Sequence, residues 1–151
     1  MLNRKHLNRL RKGLSMMTDK DKWKVLYDEA VAQHNQMVDN IDNDNLIDED
    51  GYPTVYCLKL IEDWHWSDNK GWFDFIKYCW YQKQWGWSEK KDTDVFSDKQ
   101  VHSYHISTGG WSGNESIIGA MQSNQMMWSL NWVQSNRGGH YIFHLKEFAD
   151  D

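Results

Sequence analysis

Apolar residues recur at helical spacing through the first half of the chain. From Trp23 to Val38 one face stays apolar for about five turns of helix. Thr18 and Asp21, just before this run, are typical of a helix start. Two shorter runs at 57–64 and 72–80 repeat the spacing. The pattern therefore predicts helices over these segments, preceded by a short basic amphipathic helix at residues 2–14.

The second half changes to period-two alternation. Residues 101–106, 128–132 and 141–145 show period-two patterns, which predict three short strands. Helical spacing between the first two strands gives a βαβ unit, whose strands are parallel if they share a sheet. Residues 82–99 are polar and irregular, and Trp85 and Trp87 within them could be exposed. The fold class predicted is α+β, with N-terminal helices packed on a small mixed three-stranded sheet containing one βαβ crossover.

The organisation predicted is a single domain. The 151 residues include one proline and no long glycine-serine linker. Residues 1–40 form a helical N-terminal extension and residues 50–146 the α+β core. The acidic stretch between them resembles a calcium loop, but Leu46 and Cys57 would then stand at the first and last ligand positions. Since neither can serve there, the calcium-loop pattern fails and the stretch is predicted to be an acidic loop. We predict no metal and no cofactor.

Charge and composition limit the classes of partner that the chain is expected to bind. The net charge of −5 does not favour strong nonspecific binding to nucleic acid, and no apolar run is long enough to predict a membrane span. Cys57 and Cys79 lie on apolar helix faces, which favours reduced core thiols and an intracellular protein. The chain is tryptophan-rich, with ten tryptophans, most of them expected in the core.

A candidate functional site lies at residues 107–115, which have the sequence Ser-Thr-Gly-Gly-Trp-Ser-Gly-Asn-Glu. Gly109 and Gly110 are expected to end the first strand in a turn with positive φ. Ser112 and Glu115 fit a capping box at the start of the following helix, and helix starts attract anions. The alternative is that the side chains of the capping box bind the free N–H groups of the helix start themselves, and that the glycines serve only to form the turn.

If the first two strands are parallel, a second glycine turn lies beside the first. That turn contains Arg137 and His140. Arg137 could bind a phosphate or carboxylate, Trp111 could stack on a base, and His105 or His140 could transfer protons. Alternatively, Arg137 is a solvated turn residue. The candidate ligand-binding residues are Ser107, Thr108, Gly109, Gly110, Trp111, Asn114, Arg137 and His140.

These two motifs, the second continuing as Arg-Gly-Gly-His-Tyr-Ile-Phe, resemble a group of small uncharacterised accessory proteins of tailed bacteriophages. The resemblance covers residues 50–146. It implies an accessory gene product that works in the host bacterial cytoplasm, and it brings no established activity.

Three classes of function stay open. The first is a non-catalytic protein that inhibits or sequesters a host factor, either a defence protein or an anionic small molecule such as a signalling nucleotide. The second is a small phosphoester- or nucleotide-cleaving enzyme that uses His105 and His140. The third is a structural or assembly component of the virion. Binding is favoured over catalysis because no catalytic triad, Walker loop or zinc motif is present in the sequence. The oligomeric state is not predicted.

Overall fold

The first part of the chain is helical. The computed structural model describes residues 3–15, 17–94 and 96–146, and it divides into two units, Met1–Ile41 and Asp42–Asp151. The first unit contains α1 (Arg4–Ser15) and α2 (Asp19–Asp39). The predicted start of α2 is confirmed, because Thr18 Oγ1 accepts from the Asp21 N–H at 3.2 Å and donates to the Asp21 carboxylate at 2.6 Å.

The second unit packs short helices on a sheet. Its helices are α3 (Val55–Asp63), α4 (Asn69–Cys79), α5 (Lys83–Gly86), α6 (Ser112–Ser123) and α7 (Gln125–Asn131). Its strands are β1 (Trp87–Thr93), β2 (Gln100–Ser107), β3 (Trp132–Asn136) and β4 (His140–Lys146). The class α+β is therefore confirmed.

The apolar face of α4 packs on the sheet, and α3 packs against α4 and α6. Phe73 of α4 stacks on Tyr104 of β2 with ring centroids 4.1 Å apart, and both side chains are buried. Cys57 and Cys79 are buried free thiols whose sulfur atoms lie 3.4 Å apart. Both cysteines therefore lie on core-facing helix surfaces, as the apolar spacing predicts.

The predicted sheet is wrong in strand number and pairing. Within the described residues the sheet has four strands in the order β1-β2-β4-β3, and every neighbouring pair is antiparallel. Strand β4 lies between β2 and β3, so the mixed three-stranded sheet with a βαβ crossover is not formed. Strands β2 and β3 nevertheless point the same way, because each is antiparallel to β4.

The predicted strand at 128–132 is instead mostly helix α7. Asn124 caps α7 by accepting from the Met127 N–H at 3.3 Å. Its amide also donates to the Ile61 and Trp64 carbonyl oxygens at 3.0 Å, which fixes the helix start against the end of α3. This tertiary anchor outweighs the period-two alternation, and the strand begins only at Trp132.

Residues 82–99, predicted to be irregular, contain α5 and the edge strand β1. Glu89 organises this strand through contacts with Lys77 Nζ at 2.7 Å, His102 Nε2 at 2.6 Å and Trp87 Nε1 at 2.9 Å. Burial alone would raise the pKa of Glu89, but these three donors together lower it. Because polar contacts hold this strand, its sequence shows little alternation of apolar and polar residues, and the pattern did not predict it.

Candidate functional site

The two glycine turns lie side by side at one end of the sheet. Strand β2 ends at Ser107 and β4 begins at His140, and the two residues are paired in register. Beyond them, the Thr108 N–H donates to the Gly139 carbonyl oxygen at 3.0 Å. A Cβ on Gly139 would collide with Thr108 Oγ1, so close approach of the two turns requires glycine there. We call this region, from Ser107 to Trp111 and from Arg137 to His140, the glycine-turn end.

Three of the predicted polar groups meet on one face of this end. Ser107 Oγ and His140 Nδ1 are 2.7 Å apart, and the ring of His105 lies 5.8 Å from that of His140. His105 Nε2 is 3.1 Å from Ser103 Oγ. Burial, followed by the positive charge of Lys90, lowers the pKa of His105. This shift favours a neutral His105 imidazole near pH 7.

Trp111 is packed into the protein. Its ring lies 4.6 Å from that of Tyr52 and 4.8 Å from that of Tyr81, measured between centroids. Its indole Nε1 is buried and finds no hydrogen-bond partner among the described residues. A Cβ on Gly113 would come within 2.6 Å of that nitrogen, so Trp111 is fitted closely to the first turn of α6.

The predicted capping box at Ser112 is not formed. Trp111 takes the cap position, its carbonyl accepts from the Glu115 N–H at 3.0 Å, and Ser112 is the first helical residue. Ser112 Oγ instead lies 3.4 Å from Tyr52 Oη. The helix therefore starts one residue earlier than the serine-glutamate spacing predicts.

Thr108 and Asn114 lie inside the protein, with exposures of 3% and 2%. The Asn114 amide oxygen accepts from the Tyr81 N–H at 3.0 Å, and its nitrogen donates to the Tyr81 carbonyl at 3.0 Å and to the Thr108 carbonyl at 3.4 Å. Both residues were predicted to touch a ligand. The structure places them beneath the surface, where they hold the turn in position.

The exposed residues at this end are Gly109, Gly110, Arg137 and Gly138, and the exposed Trp85 of α5 lies beside Gly109. Trp85 is 70% exposed, and a Cβ on Gly109 would lie 2.9 Å from its ring. The sequence indicated that Trp85 could be exposed, but a tryptophan in a polar segment carries no signal that places it beside a turn twenty-four residues later. Trp87, for which the sequence left exposure open, is buried.

Comparison with known proteins assigns this chain to no family. Protein-family models, curated proteins and solved structures contain no match to this chain. Within the described residues, no group of three or more His, Cys, Asp or Glu side chains is arranged to hold a metal ion. No helix in the same part of the chain is long and apolar enough to cross a membrane.

Proposed function

We propose that this chain is a non-catalytic binding protein, a phage accessory product that inhibits or sequesters a host factor through the glycine-turn end. The observation that carries the proposal is the bond from Thr108 N–H to Gly139 O, at 3.0 Å. It joins two exposed turns, which come from distant parts of the sequence, into one continuous surface. The proposed place of action is the host bacterial cytoplasm.

The residue types around these turns suit recognition. Trp85, Tyr81 and Arg137 are exposed. Tryptophan, tyrosine and arginine are the types that most often dominate the binding energy of an interface. The exposed backbone of Gly109 and Gly110 carries no side chain, so a partner can approach it closely. A surface with aromatic anchors and one guanidinium fits a host protein or an anionic small molecule.

Arg137→Ala is the direct test. We expect the variant to lose the partner, by about 2–5 kcal/mol if the guanidinium pairs with an anionic group in a desolvated contact. Its stability should change by less than about 1 kcal/mol, because Arg137 is exposed in a turn. Immobilised parent and variant are incubated with lysate of the host bacterium, and the retained proteins and small molecules are identified by mass spectrometry.

Lys91→Ala is the matched control, because Lys91 is an exposed cation on β1, outside the glycine-turn end. It should retain the same partner as the parent. Equal retention by the parent and by both variants would show that the partner binds elsewhere.

Catalysis is the second candidate, favoured by the 2.7 Å contact of Ser107 Oγ with His140 Nδ1. Against it, one nitrogen of each imidazole is engaged by a serine hydroxyl, His105 Nε2 by Ser103 and His140 Nδ1 by Ser107, so each ring has only its other nitrogen for proton transfer. We expect the parent and His140→Ala to hydrolyse bis(p-nitrophenyl) phosphate equally slowly. A rate that falls about 100-fold on substitution would favour the enzyme instead.

A further inference from the structure

The two cysteines of the chain meet between α3 and α4. Cys57 lies in the first turn of α3 and Cys79 is the last residue of α4, so the start of one helix contacts the end of the other. Their sulfur atoms are 3.4 Å apart, and both side chains are buried. A disulfide has an S–S distance of about 2.05 Å, so an approach of about 1.4 Å forms one. Side-chain rotation and helix shifts of about 1–2 Å supply such a movement.

The surroundings of the pair make Cys57 the more reactive thiol. The Cys79 S–H can donate to the Cys57 thiolate, which lowers the pKa of Cys57, although burial opposes the shift. The same contact, together with burial, raises the pKa of Cys79. The thiolate is the form that attacks an oxidant, so Cys57 reacts first and Cys79, held beside it, reacts second.

Both thiols lie at helix ends, where the backbone opens at the lowest cost. Cys57 is two residues from Val55, which begins α3 and is 84% exposed. Opening of this first turn alone brings the Cys57 sulfur to solvent, while the rest of the core stays packed. The pair is therefore protected at rest and still accessible to an oxidant as small as hydrogen peroxide.

We infer that Cys57 and Cys79 are an oxidative modification site, at which hydrogen peroxide converts the two thiols into a disulfide. The Cys57 thiolate attacks one peroxide oxygen and the O–O bond breaks. The departing hydroxide takes up the proton that Cys57 released, which leaves a sulfenic acid and water. Cys79 Sγ then attacks Cys57 Sγ, so that the S–S bond forms, the S–O bond breaks, and hydroxide leaves as water with the Cys79 proton. Each sulfur loses one electron, and both peroxide oxygens are reduced to water.

The crosslink joins the two segments that hold Trp111. Tyr52 lies five residues before Cys57, Tyr81 lies two residues after Cys79, and both tyrosine rings pack on Trp111. A bond between positions 22 apart also removes conformational freedom from the unfolded chain. The oxidised protein is therefore expected to be the more stable form, with the packing around Trp111 held closed.

Peptide mapping of the full chain after treatment with hydrogen peroxide tests the inference. Remaining thiols are alkylated, the protein is digested without reductant, and the peptides are identified by mass spectrometry. The parent should give linked peptides that contain Cys57 and Cys79, at a rate independent of protein concentration. Its melting midpoint should rise by about 5–15 °C and return to the starting value after reduction with dithiothreitol.

Cys79→Ala and Cys57→Ala are the matched variants, because each keeps one of the two thiols. In Cys79→Ala, peroxide should carry Cys57 to the sulfenic and sulfinic acids without a linked peptide. In Cys57→Ala, Cys79 should oxidise at least about tenfold more slowly than Cys57 does in Cys79→Ala. Neither variant should gain stability on treatment.

Three results would overturn the inference. They are two alkylated thiols in the peroxide-treated parent, links formed only between different chains, and a disulfide that lowers the melting midpoint. None of these measurements needs a partner, so they are independent of binding through Arg137.

Discussion

Asn114→Ala should lower the free energy of unfolding by about 3 kcal/mol, although Asn114 occupies a predicted ligand-binding position. The side chain is 2% exposed and makes hydrogen bonds to both backbone groups of Tyr81 and to the Thr108 carbonyl. Its removal leaves these groups without that partner, at roughly 1–3 kcal/mol for each one that stays buried. Thermal melting should therefore show a midpoint about 6–12 °C lower.

Ser116→Ala is the control on the same helix. Ser116 is exposed and its hydroxyl donates only to the Ser112 carbonyl within α6, at 3.0 Å. Its loss should change stability by no more than about 0.5 kcal/mol. If Asn114→Ala melts as late as Ser116→Ala, Asn114 does not hold the turn, and a direct role in binding returns to consideration.

The same approach distinguishes a residue that holds the turn in position from a residue that contacts the partner. Asn114 joins the segment after α4 to the first glycine turn, so its loss is expected to disturb the turn and weaken binding indirectly. Arg137 touches solvent, and its loss is expected to weaken binding without affecting the fold. Melting temperature and partner retention, measured together, distinguish these two causes.

The sequence predicted those elements whose own residues determine them. Strand β2 follows a period-two pattern, and α2 has a capping threonine, Thr18, followed by apolar residues at helical spacing. Gly109 and Gly139 both adopt positive φ, in agreement with turns ending and starting the two strands. Such features are local, so neighbouring residues suffice to predict them.

The order of the strands in the sheet could not be predicted from such local patterns. Phe143 of β4 is completely buried and contacts Phe73, whereas all five residues of β3 are exposed. The more apolar strand therefore takes the interior of the sheet and the polar one takes the edge. The contrast between the two strands is present in the sequence, but the prediction placed the second strand at 128–132 and paired it by the βαβ spacing.

The two glycine turns were predicted to lie side by side, whereas the burial of particular side chains near them was not predicted. Trp111 and Asn114 stand within a motif of small polar residues and glycines, which suggests exposure. Asn114 is buried and Trp111 is half-buried, and both contact residues from segments thirty or more residues away, Tyr52 and Tyr81. No spacing rule links such segments, because contacts of this kind form only when the whole unit folds.

Trp111→Ala and Trp85→Ala make the same chemical change at two tryptophans of one surface, and we expect opposite results. Trp111 packs on two tyrosines and is closely fitted to Gly113, so its truncation should cost about 2–4 kcal/mol of stability. Trp85 is 70% exposed, so its truncation should cost less than about 1 kcal/mol.

The effects on binding should differ in kind, because Trp85 is expected to contact the partner directly and Trp111 to act through the fold. Trp85→Ala should weaken retention of the host factor at least about tenfold while melting like the parent, since an exposed tryptophan beside a glycine turn can bury most of its ring only against a partner. Trp85→Phe keeps a smaller aromatic ring and should restore part of the affinity. If Trp85→Ala binds as tightly as the parent and Trp111→Ala loses binding at an unchanged melting temperature, the original assignment of Trp111 as the contact residue is correct. The packing against Tyr52 and Tyr81 would then have to open when the partner binds.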